Sequence, residues 1–151
     1  MSRGGIYVFN WTAVNPNKVA AVYVDNPLLN INAWTKQMLE LPAGKNVMFE
    51  DFKKDYKLTT SEQIAQFKGG PIESVKQIVK GHYPILIVCA DEDEAVSPAE
   101  NTMRFEKKVK ALKGKITVIH KPGFKDHPHS LPDPTPIVDF ILKAVSLDAG
   151  Y

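Results

Sequence analysis

The sequence is poor in cysteine, in long apolar runs and in charge of one sign, and each shortage closes off a class of protein. Its single cysteine, Cys89, rules out an internal disulfide. Cys89 follows Ile85-Leu86-Ile87-Val88 and precedes acidic residues that would raise a thiol pKa, so it reads as a buried small hydrophobe rather than a nucleophile. No apolar stretch approaches the ~18 residues of a membrane-spanning helix, so no membrane partner is expected, and no signal peptide is visible. Nineteen basic residues against seventeen acidic ones leave a net charge of +2 with no basic stripe, which gives nucleic-acid binding no support. The lysines between Lys107 and Lys115 fit the solvated face and last turn of a helix. Internal repeats and low-complexity segments are also missing.

What is present is a chain of 151 residues, 44% hydrophobic, enough for one core and one domain. Ile6, Phe9 and Ala13 recur at helical spacing and predict a helix over 3–15, ended by Asn15-Pro16. Val19 to Asp25 reads as a short strand buried on both faces. From 28 to 81 the texture changes to helical signals at Phe49–Tyr56, Ser61–Phe67 and Ile72–Val79, with Thr60 and Gln63 as a capping box and Pro71 placed to start a helix. This stretch is expected to be a helical, cap-like insert, with ordinary crossover helices as the alternative. Tyr83–Cys89 reads as a buried strand and Pro98–Leu112 as a helix capped by Ser97. Lys115–His120 reads as a strand near an edge, and Pro134–Val145 as a closing helix that buries Ile137, Phe140, Ile141 and Ala144. Helices alternating with strands call for an α/β fold, with a short parallel sheet of about three strands flanked by helices.

Three segments carry candidate chemistry. Ser2-Arg3-Gly4-Gly5 matches the second half of a G-x-S-x-G turn, in which small residues let strand pass sharply into helix and the backbone amide of Arg3 would donate to an oxyanion. In Asp91-x-Asp93-x-x-Val96, just beyond a buried strand, Asp93 falls on the loop edge where open α/β sheets bind ligands. Asp93 is therefore the expected acid, and Asp25, after the first strand, the alternative. Asp126-His127-Pro128-His129-Ser130 follows the last strand, where a general base has to come from: His127 is the expected base and His129 the alternative. The two histidines lack the helical spacing or cysteine partners of a zinc site, so no metal and no cofactor is expected. His82 and His120, flanking strands, read as structural.

The order serine, acid, histidine is that of the α/β-hydrolases. With Asn15-Pro16-x-Lys18-Val19-Ala20-Ala21, Asp25-x-Pro27, Val96-x-Pro98-x-Glu100-Asn101 and the run from Pro128 to Ile141, the sequence resembles bacterial α/β-hydrolases of the esterase and prolyl-oligopeptidase-like kind. The resemblance implies a Ser2, Asp93, His127 triad that hydrolyses a small carboxylic ester through an acyl-enzyme, in the bacterial cytoplasm or, with an upstream export signal, beyond it. It also implies that 1–151 is a single partial domain, the back half of such a fold beginning at its nucleophile turn. A strand at Val19 without its usual neighbour is an association risk, so homo-oligomerisation through that edge is expected. The competing expectation is a non-catalytic module with a structural or oligomeric role.

Overall fold

The computed structural model describes residues 1–42, 44, 46–125 and 130–148, the side chains of the last two excepted. Helix α1 (Gly4–Val14) and a 3-10 turn (Pro16–Lys18) lead into strand β1 (Val22–Asp25). Helices α2 (Ile31–Leu39), α3 (Val47–Asp55), α4 (Ser61–Ala65) and α5 (Val75–Lys80) precede β2 (Ile85–Ala90). Helix α6 (Thr102–Ala111), β3 (Ile116–Lys121) and α7 (Thr135–Asp148) complete the described chain. The strands form one parallel sheet in the order β1-β2-β3, with Val22 opposite Ile85 and Ile85 opposite Ile116. The α/β class and the three-stranded parallel sheet are as the sequence predicts.

The central strand explains its own composition. Every residue of β2 is buried because helices cover both faces, so it carries an unbroken apolar run instead of an alternating one. Ile85 and Ile87 point with Val22 and Val24 toward Phe9 of α1, Ile78 of α5, and Phe105 and Val109 of α6. The Phe9 and Phe105 rings meet at 4.9 Å in this layer. Leu86 and Val88 point the other way, toward Ile137 and Phe140 of α7. Helices α1, α5 and α6 thus cover one face of the sheet and α7 the other.

Several predicted boundaries are corrected. The helix expected from Pro98 begins at Thr102, and Ser97 is not its cap; residues 98–101 form turns in which the Asn101 N–H donates to the Ser97 carbonyl at 3.1 Å. Asn101 does not cap α6 with its side chain either, because its Oδ1 accepts from the Leu29 and Asn30 amides, both at 2.9 Å. Helix α2, unforeseen in the sequence, is capped by Asn30, whose side chain accepts from the Ala33 N–H. Pro71 lies in a turn and α5 starts only at Val75. The Thr60–Gln63 capping box is present in both directions. Ile141 is exposed rather than buried, since α7 turns its Ile137, Phe140 and Ala144 stripe to the sheet and leaves Ile141 and Val145 beside β1.

Candidate active site

The serine turn is built on the end of β1. Asp25 closes that strand, and its carbonyl accepts from the Ser2 N–H at 3.1 Å; the Ser2 carbonyl in turn accepts from the Leu28 N–H at 2.9 Å. Ser2 and Pro27 thereby form an isolated parallel bridge. Ser2 itself is left-handed, with φ at +49°, a conformation that costs a non-glycine residue energy and that a nucleophile turn requires. Helix α1 starts two residues later, and no described residue accepts a hydrogen bond from the Arg3 amide between them. The two glycines differ in role. A Cβ on Gly5 would sit 2.6 Å from the Pro27 Cβ, whereas one on Gly4 would meet nothing within 4 Å. Of the two glycines, only Gly5 is required for the close approach of the helix start to Pro27.

Asp93 stands on the turn after β2, the strand next to β1. Its side chain is buried, 4% exposed, and Oδ1 accepts from the Ala95 and Val96 amides at 2.8 and 2.9 Å. Those bonds fold the turn around the carboxylate. Asp25, the alternative acid, is also buried: Oδ2 faces the Tyr23 hydroxyl at 3.4 Å, and Oδ1 has no partner among the described residues. Asn26, left-handed at φ +36°, ties the end of β1 to that of β2 by accepting from the Ala90 N–H at 2.6 Å. Ser2, Asp25 and Asp93 thus share the C-terminal edge of the sheet, on or beside two adjacent, register-locked strands.

His127 and His129 lie outside the described residues, as does Asp126. The ends of their loop are described, and both are tethered. On the entering side, the Glu92 N–H donates to the Phe124 carbonyl at 3.1 Å, which joins this loop to the Asp93 turn. On the leaving side, the Ser130 hydroxyl lies 2.8 Å from the Tyr23 hydroxyl, and the Ser130 carbonyl accepts from Lys121 Nζ at 3.2 Å. Lys121 is buried at the end of β3 and also lies over the Phe124 ring. Burial raises the Tyr23 hydroxyl above its ordinary pKa, opposed by the Ser130 hydrogen bond and reinforced by the nearby Asp25 charge. Tyr23, Lys121 and Ser130 were not among the predicted site residues. Only the alternation of Tyr23 between buried valines marked it, and that pattern says nothing of a partner so distant in sequence.

Beside the turn, Arg3, Ile6 and Leu28 with Trp34, Met48 and Phe52 of α2 and α3 line a small cavity of about 170 Å³. Among the described residues one group, Cys89, Asp91 and His120, brings together donor atoms suited to a metal ion. Cys89 is buried, as predicted, and burial pushes its thiol up to about 11.

No family model matches the chain, and no curated protein matches it. Among solved structures it is similar to the crystal structure of a monoacylglycerol lipase from Paleococcus ferrophilus, with a TM-score of 0.51 and 17% sequence identity over 95% of this chain. The chain spans 66% of that lipase, just under two thirds. At this identity the likeness is one of fold, and the fold is α/β-hydrolase-like.

Proposed function

We propose that the chain is a serine hydrolase acting on small carboxylic esters, with Ser2 as nucleophile, Asp93 as acid and His127 as base, His129 being the alternative base. The left-handed backbone of Ser2, on a strand-to-helix turn at the sheet edge, carries this reading. A serine hydroxyl is a weak nucleophile at neutral pH, and a histidine oriented by a carboxylate activates it by taking its proton as Oγ attacks the ester carbonyl. The Arg3 amide would then donate to the oxyanion. Collapse of the tetrahedral intermediate expels the alcohol, protonated by the histidine, and leaves an acyl-serine for water to hydrolyse. The 170 Å³ cavity beside Arg3 suits a short acyl group. The hydrolase-like fold supports the assignment.

The test is hydrolysis of p-nitrophenyl acetate and butyrate, alongside covalent labelling by a fluorophosphonate. Ser2→Ala should abolish both, and loss in His127→Ala but not His129→Ala would identify the base. Undiminished hydrolysis by Ser2→Ala would overturn the serine mechanism.

A separate observation favours self-association, alone or alongside catalysis. Among the described residues strand β1 pairs with β2 alone, and its other side opens on a groove of about 400 Å³ where Val8, Trp11, Ile141 and Val145 are exposed. A second copy, paired edge to edge about a two-fold axis, would cover these side chains and the free strand together. Light scattering on a sizing column should report a dimer; a monomer at all concentrations would refute it.

A further inference from the structure

Away from the serine turn, the parallel pairing of β2 and β3 sets Cys89 directly opposite His120, and Asp91, two residues beyond Cys89, projects on the same side. The donor atoms of the three side chains all lie within 4.8 Å of one another. His120 Nδ1 and Asp91 Oδ1 are already 2.6 Å apart. We infer that Cys89, Asp91 and His120 form a binding site for a borderline-soft divalent cation of the zinc class.

The donor set selects the ion. A thiolate and an imidazole favour Zn²⁺ or Co²⁺ over Mg²⁺ and Ca²⁺, which prefer oxygen shells, and three protein ligands leave a fourth, tetrahedral position for water. Bonds of about 2.0–2.3 Å place tetrahedral ligand atoms roughly 3.3–3.8 Å apart, so an ion has to part the Asp91–His120 contact and draw the wider pairs together, each by about 1 Å. The mobility needed is present on one side: the His120 and Asp91 side chains are 42% and 25% exposed, while Cys89 is held in the core beneath the start of α6. That exposure is also the route of entry. The thiol is raised first by burial, against a hydrogen bond to Thr102, and then by the charges of Asp91, Asp93 and Glu106. The same three carboxylates that oppose a thiolate attract a cation, whose binding displaces the thiol proton and an Asp91–His120 contact. Because Asp91 starts the turn that carries Asp93, an ion here would pin that turn to β3. The inference does not depend on catalysis at Ser2.

The experiment is titration of the reduced 151-residue chain with Co²⁺, followed by displacement with Zn²⁺. The wild type should take up one equivalent with the near-ultraviolet thiolate charge-transfer band and the visible bands of a tetrahedral ion. His120→Ala and Asp91→Asn, both at accessible side chains, should each weaken binding at least about tenfold. Cys89→Ala should lose the charge-transfer band, and a His127→Ala/His129→Ala double variant should bind as the wild type does. A wild-type spectrum without the thiolate band, affinity unchanged in His120→Ala, or binding lost only in the double variant would overturn the site.

Discussion

The Tyr23 and Ser130 hydroxyls are 2.8 Å apart although 107 residues separate them in the chain. This contact runs from the strand under the serine turn to the residue that follows the His127 and His129 loop. Tyr23→Phe should therefore cost about 0.5–1.5 kcal/mol in urea unfolding, the net worth of one hydrogen bond. Under the proposed mechanism it should also lower kcat for p-nitrophenyl acetate several-fold with little change in KM, because it loosens the base and leaves the acyl cavity intact. Ser130→Ala should reproduce both effects, and the double variant should add little to either.

Gly4 and Gly5 make a sharper pair of tests, being neighbours with opposite surroundings. Gly5→Ala drives a methyl into Pro27, where the obstacle is a strand-end ring and its backbone; a loss of about 1–3 kcal/mol is expected, with loss of any Ser2 labelling. Gly4→Ala meets open space at the first position of α1 and should be neutral or slightly stabilising. Thermal melts of the two variants decide it.

At Asp93, stability and activity should separate. Asn keeps the Oδ1 that accepts from the Ala95 and Val96 amides, so Asp93→Asn should lose less stability than Asp93→Ala while ester hydrolysis falls by at least about 10²-fold. Asp93→Ala removes both bonds and should lose about 1–2 kcal/mol as well, since the turn is then left with unpaired donors. Equal melting of the two variants would show that the carboxylate does not hold the turn.

The sheet was legible in the sequence because buried parallel strands must be apolar throughout: Ile85 to Ala90 could hardly be anything else. Boundaries failed where a side chain bonds to a remote backbone. Asn101 reads locally as part of a Pro98 helix, but its oxygen serves amides 71 and 72 residues away, and the helix starts after it. Helix α2 was missed although Ile31, Trp34 and Met38 stand at helical spacing, and its start rests on Asn30, a cap that is also bound to the remote Glu100 carbonyl. At the candidate site, the turns that carry Ser2 and Asp93 could be read because strand-to-helix and strand-end turns have local signatures. Tyr23, Lys121 and Ser130 were not, since tethering is a property of the folded edge and leaves no spacing to read.

Tyr83 gives a pH dependence with a definite sign. It is buried, and no described group meets its hydroxyl at hydrogen-bond geometry. Burial raises its pKa above 10.0, with a smaller opposite pull from Thr12. A raised folded-state value means that the neutral form is favoured on folding, so its contribution is complete below the unfolded tyrosine value and disappears as pH climbs through the folded one. Tyr83→Phe should be neutral or stabilising at about pH 7, and its urea midpoint should fall less than that of the wild type between about pH 9 and about pH 11. A steeper fall in the variant would reverse the assignment.

The parallel pairing of the three strands also orders the making of the molecule. Asn26 of the β1 end must find Ala90, 64 residues on, whereas Asp91 finds His120 only 29 residues away. Each doubling of loop length adds about 0.6 kcal/mol of closure entropy, so the β2–α6–β3 unit is expected to close before β1 joins it. Synthesis runs the other way: the serine turn and β1 leave the ribosome before the strand they need. The serine turn and β1 are thus made before the β2–α6–β3 unit and docked after it closes, and the apolar side chains of β1 wait for their partner strand.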